Sequence, residues 1–257
     1  MEKIIDAHIH LDHYDDREIS MILHDLAKIQ CTDLISVSYD LGSCKRNRKF
    51  ALQDPRVRSA FGFHPEQEIP TDAEIAELLS WMDMHQDEMI AIGEVGLPYY
   101  FRREKSEFPL YSYIELLESF LKRANEWNKP VVLHAIYEDA AIVCDLLEKY
   151  HIADAHFHWF KGDTGIVERM IENGYMISIT PDVLYEEEIQ ELVRYYPLER
   201  IMVETDGPWP FEGIFKGKMT HPSMIHRAVE KISTIKRMNL KEVYEQIYRN
   251  TMEFYRL

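Results

Sequence analysis

Short apolar runs alternate along the chain with longer segments whose apolar residues recur at helical spacing. Lys3–His10 reads as a first strand and Arg17–Gln30 as a helix. A strand at Leu34–Tyr39 precedes a helix near Cys44–Gln53, and a strand at Arg58–His64 precedes one at Asp72–His85. Met89–Leu97 is the fourth strand, with its helix near Ser106–Asn128. Val131–His134 leads into Asp139–Tyr150, Ala155–Phe160 into Gly165–Asn173, and Tyr175–Thr180 into Tyr185–Tyr195. Arg200–Asp206 is the eighth strand, and helical segments at Pro222–Met238 and Leu240–Tyr255 follow it. Eight strand-then-helix units with apolar strands predict an α/β protein whose parallel sheet is buried on both faces. The number eight favours a closed (β/α)₈ TIM barrel, a single domain over residues 1–257. An open doubly wound sheet would more often carry a Gly-rich loop after its first strand, and none is present.

Six residues stand at or near the ends of these strands: His8, His10, Glu94, His134, His158 and Asp206. Four imidazoles and two carboxylates form a ligand set that divalent cations take. Barrels build active sites this way, from the C-terminal ends of distant strands. His8 and His10 are two apart, so they project from one face of a strand, with Asp6 sharing that parity one layer deeper. Glu94 lies in Ile90-Ala91-Ile92-Gly93-Glu94-Val95-Gly96, where an uncompensated carboxylate would be costly. His156 and His158 share parity and either can be the ligand; His158, nearer the strand end, is preferred. Glu204 has the parity of Asp206 and reads as a support that orients a ligand imidazole. His64, in Gly62-Phe63-His64-Pro65, is a ligand or a substrate contact. His24, His85, His151 and His226 fall on or beside helices and read as structural, whereas His13 and His221 lie in loops of the functional rim.

The chain carries 45 acidic and 29 basic residues, a net charge of −16, which opposes a protein that coats nucleic acid through a basic surface. An enzyme that handles one phosphate at a metal is not opposed, because bound cations dominate locally. The rim nevertheless gathers Lys45, Arg46, Arg48, Lys49, Arg102, Arg103, Lys105, Lys161, Lys216 and Lys218, a candidate basic lip, with acidic residues interspersed. Three widely spaced cysteines make neither a disulfide framework nor a CxxC site. No apolar stretch reaches a membrane span, and the N-terminal run carries no leader pattern, so a cytoplasmic protein is expected.

The strand-end motifs resemble those of the TatD family of metal-dependent hydrolases, within the amidohydrolase superfamily. The matching pieces are Asp6-Ala7-His8-Ile9-His10-Leu11-Asp12, Gly62-Phe63-His64-Pro65, Gly93-Glu94-Val95-Gly96-Leu97, Pro130-Val131-Val132-Leu133-His134, His158-Trp159-Phe160-Lys161-Gly162 and Glu204-Thr205-Asp206-Gly207-Pro208, with Asn250 in the closing helix. They span nearly the whole chain in the family's order. The resemblance implies two divalent ions (Zn, Mg or Mn), one held by His8, His10, Glu94 and Asp206, the other by Glu94, His134 and His158, with Glu94 bridging. It implies a deoxyribonuclease or phosphodiesterase that uses a metal-bridging hydroxide, DNA or another phosphodiester as substrate, and His64 against the scissile phosphate. Asp206 would shuttle the proton. Two divalent cations against two carboxylates and a hydroxide leave the site about one unit positive, a sign that suits a phosphodiester.

The departures fall on the substrate side. Pro98 stands where the family has Asp, and Ala135 and Ile136 follow His134 where the family has a small residue and Arg. His156 is an extra imidazole near the site, and Trp159 replaces a usually smaller residue. A metal-dependent amide, ester or lactone hydrolase on the same barrel is therefore the alternative. A non-catalytic scaffold is disfavoured by the intact ligand set.

Overall fold

The computed structural model describes residues 2–105 and 108–257. The strands are β1 (Ile4–Ile9), β2 (Cys31–Ser36), β3 (Val57–Phe61), β4 (Ala91–Gly96), β5 (Val131–His134), β6 (Ala155–Phe157), β7 (Met176–Ile179) and β8 (Ile201–Val203). The helices are α1 (Asp16–Asp25), α2 (Leu41–Gln53), α3 (Asp72–Met84), α4 (Tyr99–Arg103), α5 (Leu110–Trp127), α6 (Glu138–Lys149), α7 (Thr164–Glu172), α8 (Glu187–Tyr195), α9 (Ile225–Lys236) and α10 (Leu240–Tyr255). The strands run in sequence order, each parallel to the next. Backbone bonds bring the ends of the sheet together: Asp206 N–H donates to His8 O at 2.9 Å and His10 N–H to Gly207 O at 2.8 Å. The expected eight-stranded barrel is thus formed, and its closing seam carries three of the six strand-end residues.

One apolar cluster fills the space between strands and helices. A second joins Ile5, Ile35, Ala60, Ala91, Val132, Met176 and Met202 with Tyr255 of α10. Residues from strands all round the sheet share only the barrel interior, so α10 plugs the end opposite the site.

Several predicted strands end earlier than expected. The third, sixth and eighth stop at Phe61, Phe157 and Val203, before His64, His158 and Asp206. The backbone leaves the ladder there, with Trp159 at φ 40° and Asp206 at φ 49°, and so turns side chains over the barrel mouth. The predicted first helix stops at Asp25, and the predicted fourth helix is divided into α4 and α5. Ser106 and Glu107, within that predicted stretch, lie outside the described residues.

Asp6 does not form a layer beneath the histidines. Its carboxylate accepts from Thr205 N–H at 2.9 Å, from the Thr205 hydroxyl at 2.5 Å and from His8 N–H at 3.3 Å. The register shift between Asp6 and Ile9 turns it towards β8. Each buried donor left without a partner costs about 1–3 kcal/mol, so Asp6→Ala is expected to lower unfolding free energy by roughly 3–5 kcal/mol. Urea unfolding measures it; a loss below about 1 kcal/mol would mean that the backbone bonds alone hold the seam.

Candidate metal centre

Glu94 is fully buried and lies at the centre of the strand-end residues. Its Oε2 is 3.2 Å from both His8 Nε2 and His10 Nε2. Its Oε1 is 2.9 Å from His134 Nδ1 and 2.8 Å from His158 Nε2. The carboxylate therefore faces one pair of imidazoles with each oxygen. Asp206 Oδ1 stands beside the first pair, 3.4 Å from His8 Nε2 and 3.6 Å from His10 Nε2. The six residues singled out from sequence are brought together, and groups that could hold a metal ion are His8, His10 and Glu94, then His64, Glu94 and His134, and also His8, His158 and Glu204.

The donor set fits divalent cations. His8 and His10 present Nε2 atoms 3.3 Å apart, and His134 Nδ1 and His158 Nε2 are also 3.3 Å apart. Such convergence of ring nitrogens is repulsive unless a proton or a cation lies between them. Glu94 Oε2 and Asp206 Oδ1 are buried acceptors without a hydrogen-bond partner, a costly condition that a cation would relieve.

Charge in the cage follows from this geometry. Burial opposes ionisation of Glu94, but the His158 and His8 imidazoles and a hydrogen bond from His10 outweigh it and hold its carboxyl well below the usual range. Burial and His158 pull the His8 imidazole down, yet Glu94 and Asp206 prevail and lift it to about 9. His158 and His134 are raised against burial by the Glu94 carboxylate together with Glu204 and Glu66 respectively. Cations entering this cage compete with protons for the same lone pairs, so uptake releases protons and strengthens with rising pH.

The backbone fixes these positions. His158 N–H donates to Leu133 O and Leu97 N–H to His134 O. Gly96 sits at φ +156°, and a Cβ there would lie 2.0 Å from His134 O, so only glycine lets β4 and β5 approach this closely.

His64 meets the site from the loop after β3. Its Nδ1 accepts Glu66 N–H at 3.1 Å, which places the proton of the neutral ring on Nε2. That N–H faces the site, 3.4 Å from Glu94 Oε1. Burial lowers its basicity well below the usual range, and with Glu94 and His134 it also forms a group that could hold a metal ion. Its ring stacks on Tyr39.

Glu204 lies beneath His158, with Oε1 3.7 Å from His158 Nδ1 and accepting Trp159 N–H at 2.9 Å. At 3.7 Å it pairs electrostatically with His158 without a hydrogen bond. Its other oxygen accepts the Ser178 hydroxyl, which also meets His156 Nε2, and His156 Nδ1 meets the Tyr255 hydroxyl at 2.7 Å. His156 is thus one layer below the site, kept neutral chiefly by burial, its pKa lowered to about 3. His158, nearer the strand end, faces Glu94, whereas His156 faces Ser178 and Tyr255. His226 bonds Tyr244 and Ile29 O inside the core.

Glu66 is a neighbour of the site that the strand pattern does not mark. Its Oε1 lies 3.1 Å from His134 Nε2. Its spacing two residues after His64 carries no recognised signal.

Above the centre opens a cleft of about 660 Å³ with Tyr100, Phe101, Trp159, Tyr185, Trp209 and Phe211 among its walls. Glu66, Glu104, Asp182, Glu186 and Asp206 also line it, with Lys161. Trp209 is 56% exposed, three residues after Asp206. Trp159 Nε1–H donates to Asp182, and Lys161 lies over the Trp159 ring at 4.4 Å.

The expected basic lip is largely neutralised. Arg102 pairs with Asp139 at 2.6 Å and Glu138 at 3.2 Å, Arg103 with Glu138, Lys105 with Glu68, Lys216 with Glu212, Lys45 with Glu77 and Arg48 with Glu88. Glu68, Glu138 and Asp139, acidic residues of the rim itself, reach Lys105, Arg102 and Arg103 first. Arg46 and Lys161 instead lie over the rings of Phe50 and Trp159.

Comparison with known proteins places this geometry among related chains. The profile described as TatD related DNase matches residues 5–256. An uncharacterised metal-dependent hydrolase of Haemophilus influenzae is 37% identical over 255 residues, covering 99% of this chain and 100% of the relative. The human protein named deoxyribonuclease TATDN3 is 25% identical over 261 residues, covering 98% and 94%. The crystal structure of YJJV, a TatD homologue from Escherichia coli, superposes with a TM-score of 0.88 at 21% identity, covering 99% of this chain and 98% of that one.

Proposed function

The chain belongs to the TatD-related DNase family of metal-dependent hydrolases, and from that premise we propose that it hydrolyses phosphodiesters, DNA above all, at a centre of two divalent cations. One observation carries this reading: the Glu94 carboxylate faces a pair of imidazoles with each oxygen, and the Asp206 oxygen beside the first pair has no partner.

His8, His10, Glu94 and Asp206 would hold one ion, and Glu94, His134 and His158 the other. Bound there, the cations acidify water and offset charge on the substrate's oxygens. The chain's own groups do the rest. His64 Nε2–H donates to a non-bridging oxygen as charge develops on it. Asp206, beside the histidine pair and lining the cleft, takes the proton of the attacking water and passes it to the leaving oxygen. The aromatic walls exclude water and offer ring faces to the bases flanking the scissile bond. Three free cysteines, all buried, support a cytoplasmic place of action. No helix among the described residues is long and apolar enough to cross a membrane.

A second reading has an observation of its own. Ile136 is buried where the family resemblance places Arg, and the cleft wall carries five carboxylates against Lys161. Such a wall favours a less anionic substrate, an amide, ester or lactone. The deciding experiment strips the protein of metal and reloads it separately with Zn, Mg and Mn. Cleavage of single-stranded DNA, RNA and a generic phosphodiester is then compared with that of a lactone and an amide. The expected result is two bound equivalents and phosphodiester cleavage. Two equivalents with lactone or amide cleavage alone would replace the leading reading by the second.

A further inference from the structure

Helix α4 begins at Pro98-Tyr99, where the family resemblance expects an Asp that would be a natural N-cap. Pro98 offers no such side chain, and no local side chain caps the helix. The cap comes instead from Glu66, in the loop after β3. Glu66 Oε1 accepts Tyr100 N–H at 2.9 Å and Oε2 accepts Phe101 N–H at 2.6 Å, the second and third residues of the helix. The same Oε1 lies 3.1 Å from His134 Nε2, and the Glu66 backbone N–H donates to His64 Nδ1. One residue therefore joins a wall of the cleft, a metal-ligand candidate and the substrate-facing histidine.

We propose that Glu66 is a positioning residue: it anchors α4 and fixes His134 as the Nε2–H tautomer. That tautomer leaves Nδ1, which faces Glu94 at 2.9 Å and His158 at 3.3 Å, as the atom that meets a cation. A carboxylate on the far nitrogen of a ligand imidazole sets ring orientation and raises its basicity. Burial also makes the arrangement hard to replace: the Glu66 side chain is 13% exposed, and without it His134 Nε2–H and both helix amides lose their partner.

The proposal rests on the two-cation reading, and its test separates the two. Cobalt(II) is titrated into metal-free wild type, Glu66→Ala and Glu66→Gln, with chelator competition for affinity and the visible absorption of bound cobalt for coordination. Thermal unfolding of the metal-free proteins is followed in parallel. In Glu66→Ala one equivalent is expected to bind as in wild type and the other about 10–100-fold more weakly, with an altered cobalt spectrum. Glu66→Gln keeps an acceptor for His134 and should recover most of that affinity. Two equivalents bound by Glu66→Ala with wild-type affinity and spectrum would overturn the proposal. A Gln variant no better than Ala would overturn its hydrogen-bond basis. Equal weakening of both equivalents, in step with a lower melting temperature of the metal-free protein, would reduce Glu66 to a prop for α4. A wild type that takes up no cobalt defeats the two-cation reading itself, and the proposal with it.

Discussion

Asp206→Asn is expected to lower kcat by about 10²–10⁴-fold at saturating metal, the range spanned by loss of a positioned acid–base group. The substitution is nearly isosteric. Asp206 sits at φ 49°, a left-handed conformation that Asn adopts as readily as Asp, so the turn into Gly207-Pro208 is retained. Its N–H still donates to His8 O, which preserves the barrel seam. What changes is chemistry at one atom. The carboxylate has an unpartnered oxygen beside His8 and His10, and the residue is still 8% exposed at the floor of the cleft. It can receive a proton and let it go, whereas an amide cannot. The check is kcat with the substrate identified by the metal-reloading experiment, together with cobalt stoichiometry and melting temperature. A variant that binds both equivalents, melts like wild type and turns over within about tenfold of it would remove Asp206 from proton transfer.

The parts of the site legible in the sequence were those fixed by strand periodicity and chain order. His8 and His10 converge because residues two apart share a strand face, and Glu94 could not lie in an apolar strand without compensation. His158 was separated from His156 by its place at the strand end, and His156 proved to be held by Ser178 and Tyr255 instead. Asp6 resisted the same logic, because a register shift in β1 breaks the alternation on which parity depends. Glu66 was illegible for a different reason. It reaches His134 from a loop 68 residues earlier in the chain, and only tertiary approach brings them within 3.1 Å. The basic lip was misread because a count of rim cations does not tell which carboxylate each will meet. Asp139 and Glu138, one turn into the rim from β5, had already engaged Arg102.

Glu94→Gln should abolish uptake of at least one metal equivalent and leave activity at background, while the barrel still folds. An amide keeps the shape of the carboxylate but turns an NH₂ group towards one of the two imidazole pairs, and a donor cannot ligate a cation. Breaking a buried ionic arrangement by removing one partner costs about 3–5 kcal/mol, which as lost ion binding corresponds to a hundredfold to several-thousandfold weaker affinity. The metal-free proteins supply an independent reading. In wild type, burial disfavours the His8 imidazolium, yet Glu94 and Asp206 raise its pKa from 6.5 to about 9. A histidine whose folded pKa is raised contributes stability that is complete below its unfolded pKa and is lost as pH climbs through the folded one. Metal-free wild type should therefore lose stability between pH 6.5 and about 9, each unit of that shift being worth ~1.4 kcal/mol. Gln carries no charge to hold that proton, so the same titration in Glu94→Gln should be much flatter, and bound cations should flatten it in wild type by taking the proton's place. Urea midpoints across this range measure all three. Equal slopes for metal-free wild type and Glu94→Gln would show that the Glu94 charge is not what organises the four imidazoles.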